Sequence, residues 1–378
     1  ATDQYPWTAL MENLAYSLSL NLHDFRDARQ ITTFEATENA VSDGEILVKV
    51  DKLALTANSI SYGLAGKSGL IRYLDIFPAT EGLANLPCWG YADIVASKHP
   101  QIEAGTRIYG FFPIASHVIM APGEASRNGF TDTKQCRTVV PAFYNEYAFT
   151  KTEPGYAPEF EETIMMFRPL FGTSFLMQSY CEDHHFHGAS RVIVTSASAK
   201  TAMGFGYLMK KNFGGKIETI GLTSSRNFDF VTQLDCFDSV LSYDDIAQIA
   251  SDPTTLIFDV AGNSQVVAEL HQKLGETISY SGSVGKTHWD SSRSDGAARL
   301  PGAKPVFWSG PDQIGVLRER LGISAMWQQM GHAMADFMIS AHQWIEMKEA
   351  CGPEPMTLKI RSMLDAEVGA HEGVILRP

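Results

Sequence analysis

From Val192 to Lys211 the sequence reads VIVTSASAKTAMGFGYLMKK. Its β-branched start predicts a short buried strand, and the stretch from about Thr201, ending in lysines, predicts a helix. A strand running straight into a helix is where α/β proteins hold phosphate, because the first N–H groups of the helix are unpaired and its dipole is positive there. The side chains at the junction suit that chemistry. Ser196, Ser198 and Thr201 bring hydroxyls, Lys200 brings a full charge, and the alanines keep the turn small. What the turn lacks is glycine. A P-loop needs glycines where Val194 and Ala199 stand, so that reading fails. A dinucleotide turn uses glycine to bend and to let the pyrophosphate approach. Without it, the turn is compatible with that role if every residue keeps a negative φ. By itself the turn leaves two readings open, a phosphate site and a plain helix start capped by Ser198.

The next strand narrows the choice. In NAD-binding units an acid ends that strand and takes the ribose hydroxyls. Here it ends GLTSSRN, with Ser224, Ser225 and Arg226 and no acid. A carboxylate would repel a 2′-phosphate, whereas hydroxyls and a guanidinium suit one. The pattern therefore points to NADP, against the alternative of a helix cap beside a solvated arginine. FDVAG (Phe258–Gly262) and SGSVG (Ser281–Gly285) end two later strands in small residues, leaving room for the nicotinamide ribose. Gly262, Ser281 and Gly285 are accordingly candidate cofactor contacts. Thr287, His288 and Trp289 follow. His288 is a candidate acid or ligand contact with Trp289 as a pocket wall, or else a solvated loop histidine.

These residues need a scaffold, and the pattern of the chain supplies one. EILVKVDKLALTANSI alternates like a half-exposed strand, and WGYADIVAS and GTRIYGFFPIASHVIMAP repeat that character, so the first ~150 residues read as β-rich. From Pro158 strands alternate with helices, the signature of a doubly wound parallel sheet. A polar loop at 287–305 leads to a helix-rich stretch, and the chain ends on strand-like HEGVILRP. The predicted fold class is α/β. The divisions read 1–160 for the β-rich domain, 161–310 for the Rossmann domain, and 311–378 for a helical tail with a strand returning to the first.

Composition excludes other classes. With 30 basic against 43 acidic residues the formal charge is −13, which argues against nucleic acid or an anionic membrane as partner. No apolar run is long enough to span a bilayer, and the acidic first residues do not read as a signal peptide. Five widely spaced cysteines form neither a disulfide framework nor a CxxC site, consistent with reduced thiols and a cytoplasmic location.

A β-rich first domain, a Rossmann unit near residue 190 and a terminal return strand resemble the medium-chain dehydrogenase/reductase superfamily, with its GroES-like catalytic domain. The nearest branch is the zinc-free quinone-oxidoreductase and enoyl-reductase type. VIVTSASAKTAMGFG stands where that branch has its strand and glycine-rich turn, LALTANSISYGLAG stands at its "aLNxxD" segment, and RIYGFFP at its "rVxG". GLTS-RN and VG-THW resemble an uncharacterised bacterial family within the superfamily. The ligands of zinc-dependent relatives are missing: Asn58 stands in place of a cysteine, and Tyr91 and Ala92 in place of His-Glu. Without Cys and His ligands a tetrahedral zinc site cannot form, so no metal is expected. The His184, His185, His187 cluster reads as a surface loop.

Hydride delivery to a carbonyl or conjugated C=C builds charge on oxygen, which something must stabilise and protonate. The resemblance implies Asn58 as an oxyanion or carboxamide contact and Tyr62 as proton donor, with Tyr73, Tyr144 and Tyr147 in reserve. Asn58 as a turn residue and Tyr62 as a core aromatic are the competing readings. His332 and Asp336 read as helix surface or core. The expected function is a zinc-independent, NADPH-dependent reductase of a small quinone- or enone-like substrate. Its rival is a non-catalytic NADPH-binding or sensor protein. A homodimer is implied by the resemblance alone.

Overall fold

The computed structural model describes residues 14–69, 71–154, 156–260, 262–284 and 300–378. Gly285, Thr287, His288 and Trp289 lie outside the described residues. The chain forms two compact units, one from residues up to Met166 together with Ile345–Pro378, the other from Phe167–Trp344. The stretch 311–378 is thus shared between them.

The first unit carries β1 (Leu14–Asn21), β2 (Ala28–Glu35), β3 (Ile46–Leu55), helix α1 (Ala57–Ser68), β4 (Leu83–Ala84) and β5 (Pro87–Ser97). Then come β6 (Arg107–Pro113), β7 (His117–Met120), β8 (Gly129–Thr131) and β9 (Glu146–Phe149). Helix α2 (Glu161–Asp183) contains the change-over to the second unit.

That unit continues with β10 (Arg191–Val194), α3 (Lys200–Phe213), β11 (Glu218–Thr223), α4 (Phe228–Gln233) and β12 (Ser239–Ser242). β13 (Thr255–Asp259), α5 (Ser264–Leu274), β14 (Ile278–Val284), β15 (Val306–Trp308), α6 (Gly310–Leu321) and α7 (Ile323–Ala341) complete it. The chain then returns to the first unit as β16 (Glu346–Cys351), α8 (Pro353–Leu364) and β17 (Glu372–Arg377).

The expected parallel sheet and separate β-rich domain are both present. In the second unit six strands run in the order β12-β11-β10-β13-β14-β15, every pairing parallel. Strands buried on both faces read as continuous apolar runs, and β10 and β13 do so. The order reverses between β10 and β13, and ligands of open α/β sheets bind outside the strand ends at such a reversal. Ile193, Ile220, Ile257, Val266 and Leu270 pack one side of the sheet.

The first unit closes its larger sheet in the order β16-β17-β3-β5-β6-β9-β8, with β7 on β3. β17 pairs antiparallel with β3, as the strand-like end of the sequence led one to expect. Sequence reading carried the strand through Ile60. The structure ends it at Leu55 and starts a helix at Ala57. Thr56 accepts from the Ser59 N–H while the Ser59 hydroxyl accepts from the Thr56 N–H, a reciprocal cap that starts α1 there.

Candidate active site

The turn between β10 and α3 is held by tertiary partners. Thr195 donates its hydroxyl to Asp259 (2.7 Å), and the Gly262 N–H donates to the same carboxylate oxygen (3.1 Å). The Ala197 N–H donates to Leu222 O (2.9 Å), and Ser198 Oγ accepts from Asn227 Nδ2 (3.1 Å). Ser196 corrects a sequence expectation: its φ is +51°, so the residues do not all keep φ negative. For a residue with a Cβ that conformation costs about 1–2 kcal/mol. The Tyr243 hydroxyl accepts from the Ser196 N–H (3.0 Å) and lies 3.1 Å from its Oγ. A Cβ on Gly206 of α3 would lie 2.6 Å from the Phe237 ring.

Ser198 does not cap α3. The N-cap is Ala199, and among the described residues no side-chain bond to the first-turn N–H groups is present. The first N–H groups of a helix have no partner within the helix itself. Lys200 stands at the first helical position, partly buried, 5.9 Å from the Phe167 ring centroid. Its one contact shown among the described residues is that ring, with no hydrogen bond or ion pair, and burial lowers its pKa from 10.5 to about 8. Thr201 is buried, its carbonyl taken by the Ser174 hydroxyl at 2.7 Å.

At the end of β11, Ser224 is partly buried and Ser225 and Arg226 are exposed. The strand end itself carries no acid, and the structure adds one from the neighbouring strand. The Ser225 hydroxyl donates to Asp244 (2.9 Å) and lies 2.9 Å from the Ser242 hydroxyl. Asp244 follows β12, which pairs with β11, so parallel pairing delivers a carboxylate that is distant in sequence. Gly262 has φ +69°, where glycine is at ease. Ser281 sits within β14, its hydroxyl 3.0 Å from the buried His271 Nε2, and is not at the strand end.

In the first unit, α1 brings Asn58 and Tyr62 together, one turn apart. Asn58 Nδ2 donates to the Tyr62 hydroxyl (2.7 Å), and Trp89 Nε1 of β5 donates to the same oxygen (3.2 Å). Rings of Tyr73, Phe111 and Tyr144 surround Tyr62 at 4.8, 5.1 and 5.8 Å. Tyr73 and Tyr144 share a hydroxyl contact of 2.8 Å. Burial pushes the Tyr62 pKa up to about 12, while the N–H of Trp89 and the Asn58 amide pull the other way. Burial also raises Tyr144 and Tyr73. The Tyr62 oxygen thus accepts two hydrogen bonds, and the Tyr144 hydroxyl is a further side-chain partner of it. Tyr62 is only 7% exposed, so it is also a core aromatic. Tyr147 spends its hydroxyl on Phe111 O (2.6 Å) and is no donor for chemistry.

His184, His185 and His187 lie in the turn before β10, at the opposite sheet edge from the Ser196 turn. His187 bonds Tyr180 (3.0 Å) and stacks on Tyr280 (4.5 Å). Among the described residues no group of three or more His, Cys, Asp or Glu is placed to hold a metal ion. Asp336 pairs with Lys211 (2.5 Å) on the helix surface.

Residues 53–369 match the family described as "Protein of unknown function (DUF2855)". The chain belongs to that family. No curated protein matches the sequence. Solved structures do match in fold. CurA from Vibrio vulnificus in complex with NADPH covers 96% of this chain and 98% of its own, at 11% identity and a TM-score of 0.59. A mutant form of enoyl thioester reductase from Candida tropicalis covers 97% and 99%, at 11% identity and 0.53. The yhdH oxidoreductase from Salmonella enterica in complex with NADP covers 96% and 99%, at 13% identity and 0.51. This DUF2855 chain therefore has the fold of the medium-chain oxidoreductases. Among the described residues no helix is long and apolar enough to cross a membrane.

Four residues escaped the sequence reading: Trp89 in the first unit, and Tyr243, Asp244 and Asp259 in the second. Asp259 alone carried a signal, as the acid of FDVAG at a strand end. The others are ordinary residues whose positions only strand pairing reveals.

Proposed function

We propose that this protein is a zinc-independent, NADPH-dependent reductase of a small carbonyl or carbonyl-conjugated C=C compound. The observation that carries the reading is the start of α3 at the sheet reversal, with no side-chain cap and beside a partly buried Lys200 that has no ion pair among the described residues. An anion there would satisfy the first-turn N–H groups and the ammonium together. Ser224 and Arg226 at the end of β11 suit a 2′-phosphate, and NADPH or NADP appears in the structures of two proteins of like fold.

Bound NADPH supplies a hydride equivalent. The chain's own groups must place the nucleotide and supply the proton. The α3 start and Lys200 would hold the pyrophosphate and Ser224 and Arg226 the 2′-phosphate, the Ser225 hydroxyl being taken by Asp244, and Gly262 would leave room beside Asp259 for the second ribose. The Tyr62 hydroxyl, fixed by Asn58 and Trp89, gives its proton to the reduced substrate and regains one from water.

The burial of Tyr62 favours the rival, a protein that binds NADPH without turnover. NADPH oxidation against quinones, enones and aldehydes decides between them. Turnover that falls about 10²–10⁴-fold in Tyr62→Phe, with NADPH affinity unchanged, supports the reductase. Tight binding with no turnover on any of these supports the rival, and no binding of NADPH removes both.

A further inference from the structure

Ser196 occupies a left-handed conformation that glycine adopts freely and serine does not. Such a conformation persists only where its surroundings over-determine it. Here the support is identifiable. The Tyr243 hydroxyl meets both the N–H and the Oγ of Ser196, at 3.0 and 3.1 Å. Tyr243 is itself well anchored. Ser242 before it accepts from the Asp244 N–H (3.3 Å) and so begins the 3-10 turn Tyr243–Gln248. The Tyr243 ring packs against the core cluster that contains Ile193 of β10 and Ile220 of β11. A residue following the edge strand β12 thus reaches past the end of β11 to clamp the end of β10.

We propose that Tyr243 is a positioning residue that stands in for the missing glycine. Its hydroxyl holds Ser196 left-handed, so that the turn leaves the first N–H groups of α3 and Lys200 open to an anion. The Ser196 N–H and hydroxyl are engaged by Tyr243, and the anion is left to the α3 start. The inference rests on the nucleotide reading for its functional half and on the turn geometry for its structural half.

The test is a double-mutant cycle of Tyr243→Phe and Ser196→Gly, read twice: by urea unfolding of the chain without nucleotide, and by NADPH titration. Tyr243→Phe keeps the ring and removes the hydroxyl. It should weaken NADPH roughly three- to tenfold, the net worth of about one hydrogen bond, and lower the unfolding midpoint. Adding Ser196→Gly should restore most of both losses, because glycine needs no clamp. Simple additivity in the unfolding cycle overturns the inference whatever the chain binds. Rescue of stability without rescue of affinity means that the hydroxyl touches the nucleotide directly, which also overturns the positioning role. A coupled unfolding cycle in a chain that binds no NADPH overturns the nucleotide reading and leaves the clamp standing.

Discussion

Arg107 in the first unit and Lys200 in the second are both partly buried cations, and the fold treats them in opposite ways. Arg107 meets Glu161 through Nε (2.6 Å) and Nη2 (2.7 Å), Asp51 (2.7 Å) and Asp93 (3.0 Å). Lys52 adds a second cation to Glu161 at 3.0 Å. Lys200 has an aromatic ring, an uncapped helix start, and no carboxylate among the described residues. A buried charge that is multiply paired is a structural fixture, whereas one left unpaired raises the energy of the empty protein until an anion arrives. On the proposed nucleotide reading, the second unit carries its cost where the ligand would remove it.

The largest expected effect comes from breaking the paired case. Arg107→Met leaves the buried Glu161 without its main partner and should lower the unfolding free energy by about 3 kcal/mol. Lys200→Met should leave that quantity unchanged or raise it. Urea unfolding of both variants checks the contrast, and equal destabilisation would erase it.

Ligand affinity should show the reverse order. Lys200→Met should weaken NADPH roughly ten- to a hundredfold, the value of about one charge-assisted bond, while Arg107→Met spares whatever fraction stays folded. Fluorescence titration of NADPH measures this.

Acidity separates the two sites next. Burial alone would raise Glu161, but bonds from Arg107, Tyr156 and Lys52 outweigh it and hold the carboxyl down to about 2, from 4.5. A depressed carboxylate contributes stability above its unfolded pKa, so this contribution should be lost as pH falls from about 4.5 toward 2. Lys200 works with the opposite sense. Its lowered pKa costs the empty fold stability below about 8, and the cost lifts as pH rises from there toward 10.5. A bound anion needs the charged lysine, so NADPH affinity should decline as pH rises past about 8. That decline should be absent in Lys200→Met.

The smallest effect concerns cofactor choice at the end of β11. Asp244, bonded to Ser225, would oppose a 2′-phosphate held at Ser224 and Arg226. Asp244→Asn should strengthen NADPH about threefold, by relieving an exposed like-charge contact, and leave NADH nearly unchanged. An equal gain for both cofactors would place Asp244 outside the 2′-phosphate site.

Much of the second unit was legible because its signals are local. The β-branched run of β10, the helix ending in lysines and the alternation of strands with helices each depend on residues adjacent in sequence. The same holds for Lys200 at the helix start. Helix α1 was missed because its apolar face is weak, and its start signal, Thr56 with Ser59, lacks the usual acid. Asn58 and Tyr62 were singled out through resemblance, but Trp89 was not, since its bond to Tyr62 joins a strand to a helix 27 positions apart.

The sequence by itself determined the class of fold, the place of the turn and the small polar side chains that line it, because backbone preference and hydrophobic period act over a few residues. Only the tertiary structure decided that Ser196 is left-handed, that Tyr243 meets it there, that Asp244 stands against Ser225, and that Lys200 has no ion pair among the described residues. Each of these depends on which strand ends lie side by side, and in a parallel sheet neighbouring strands are separated by a whole crossover of chain.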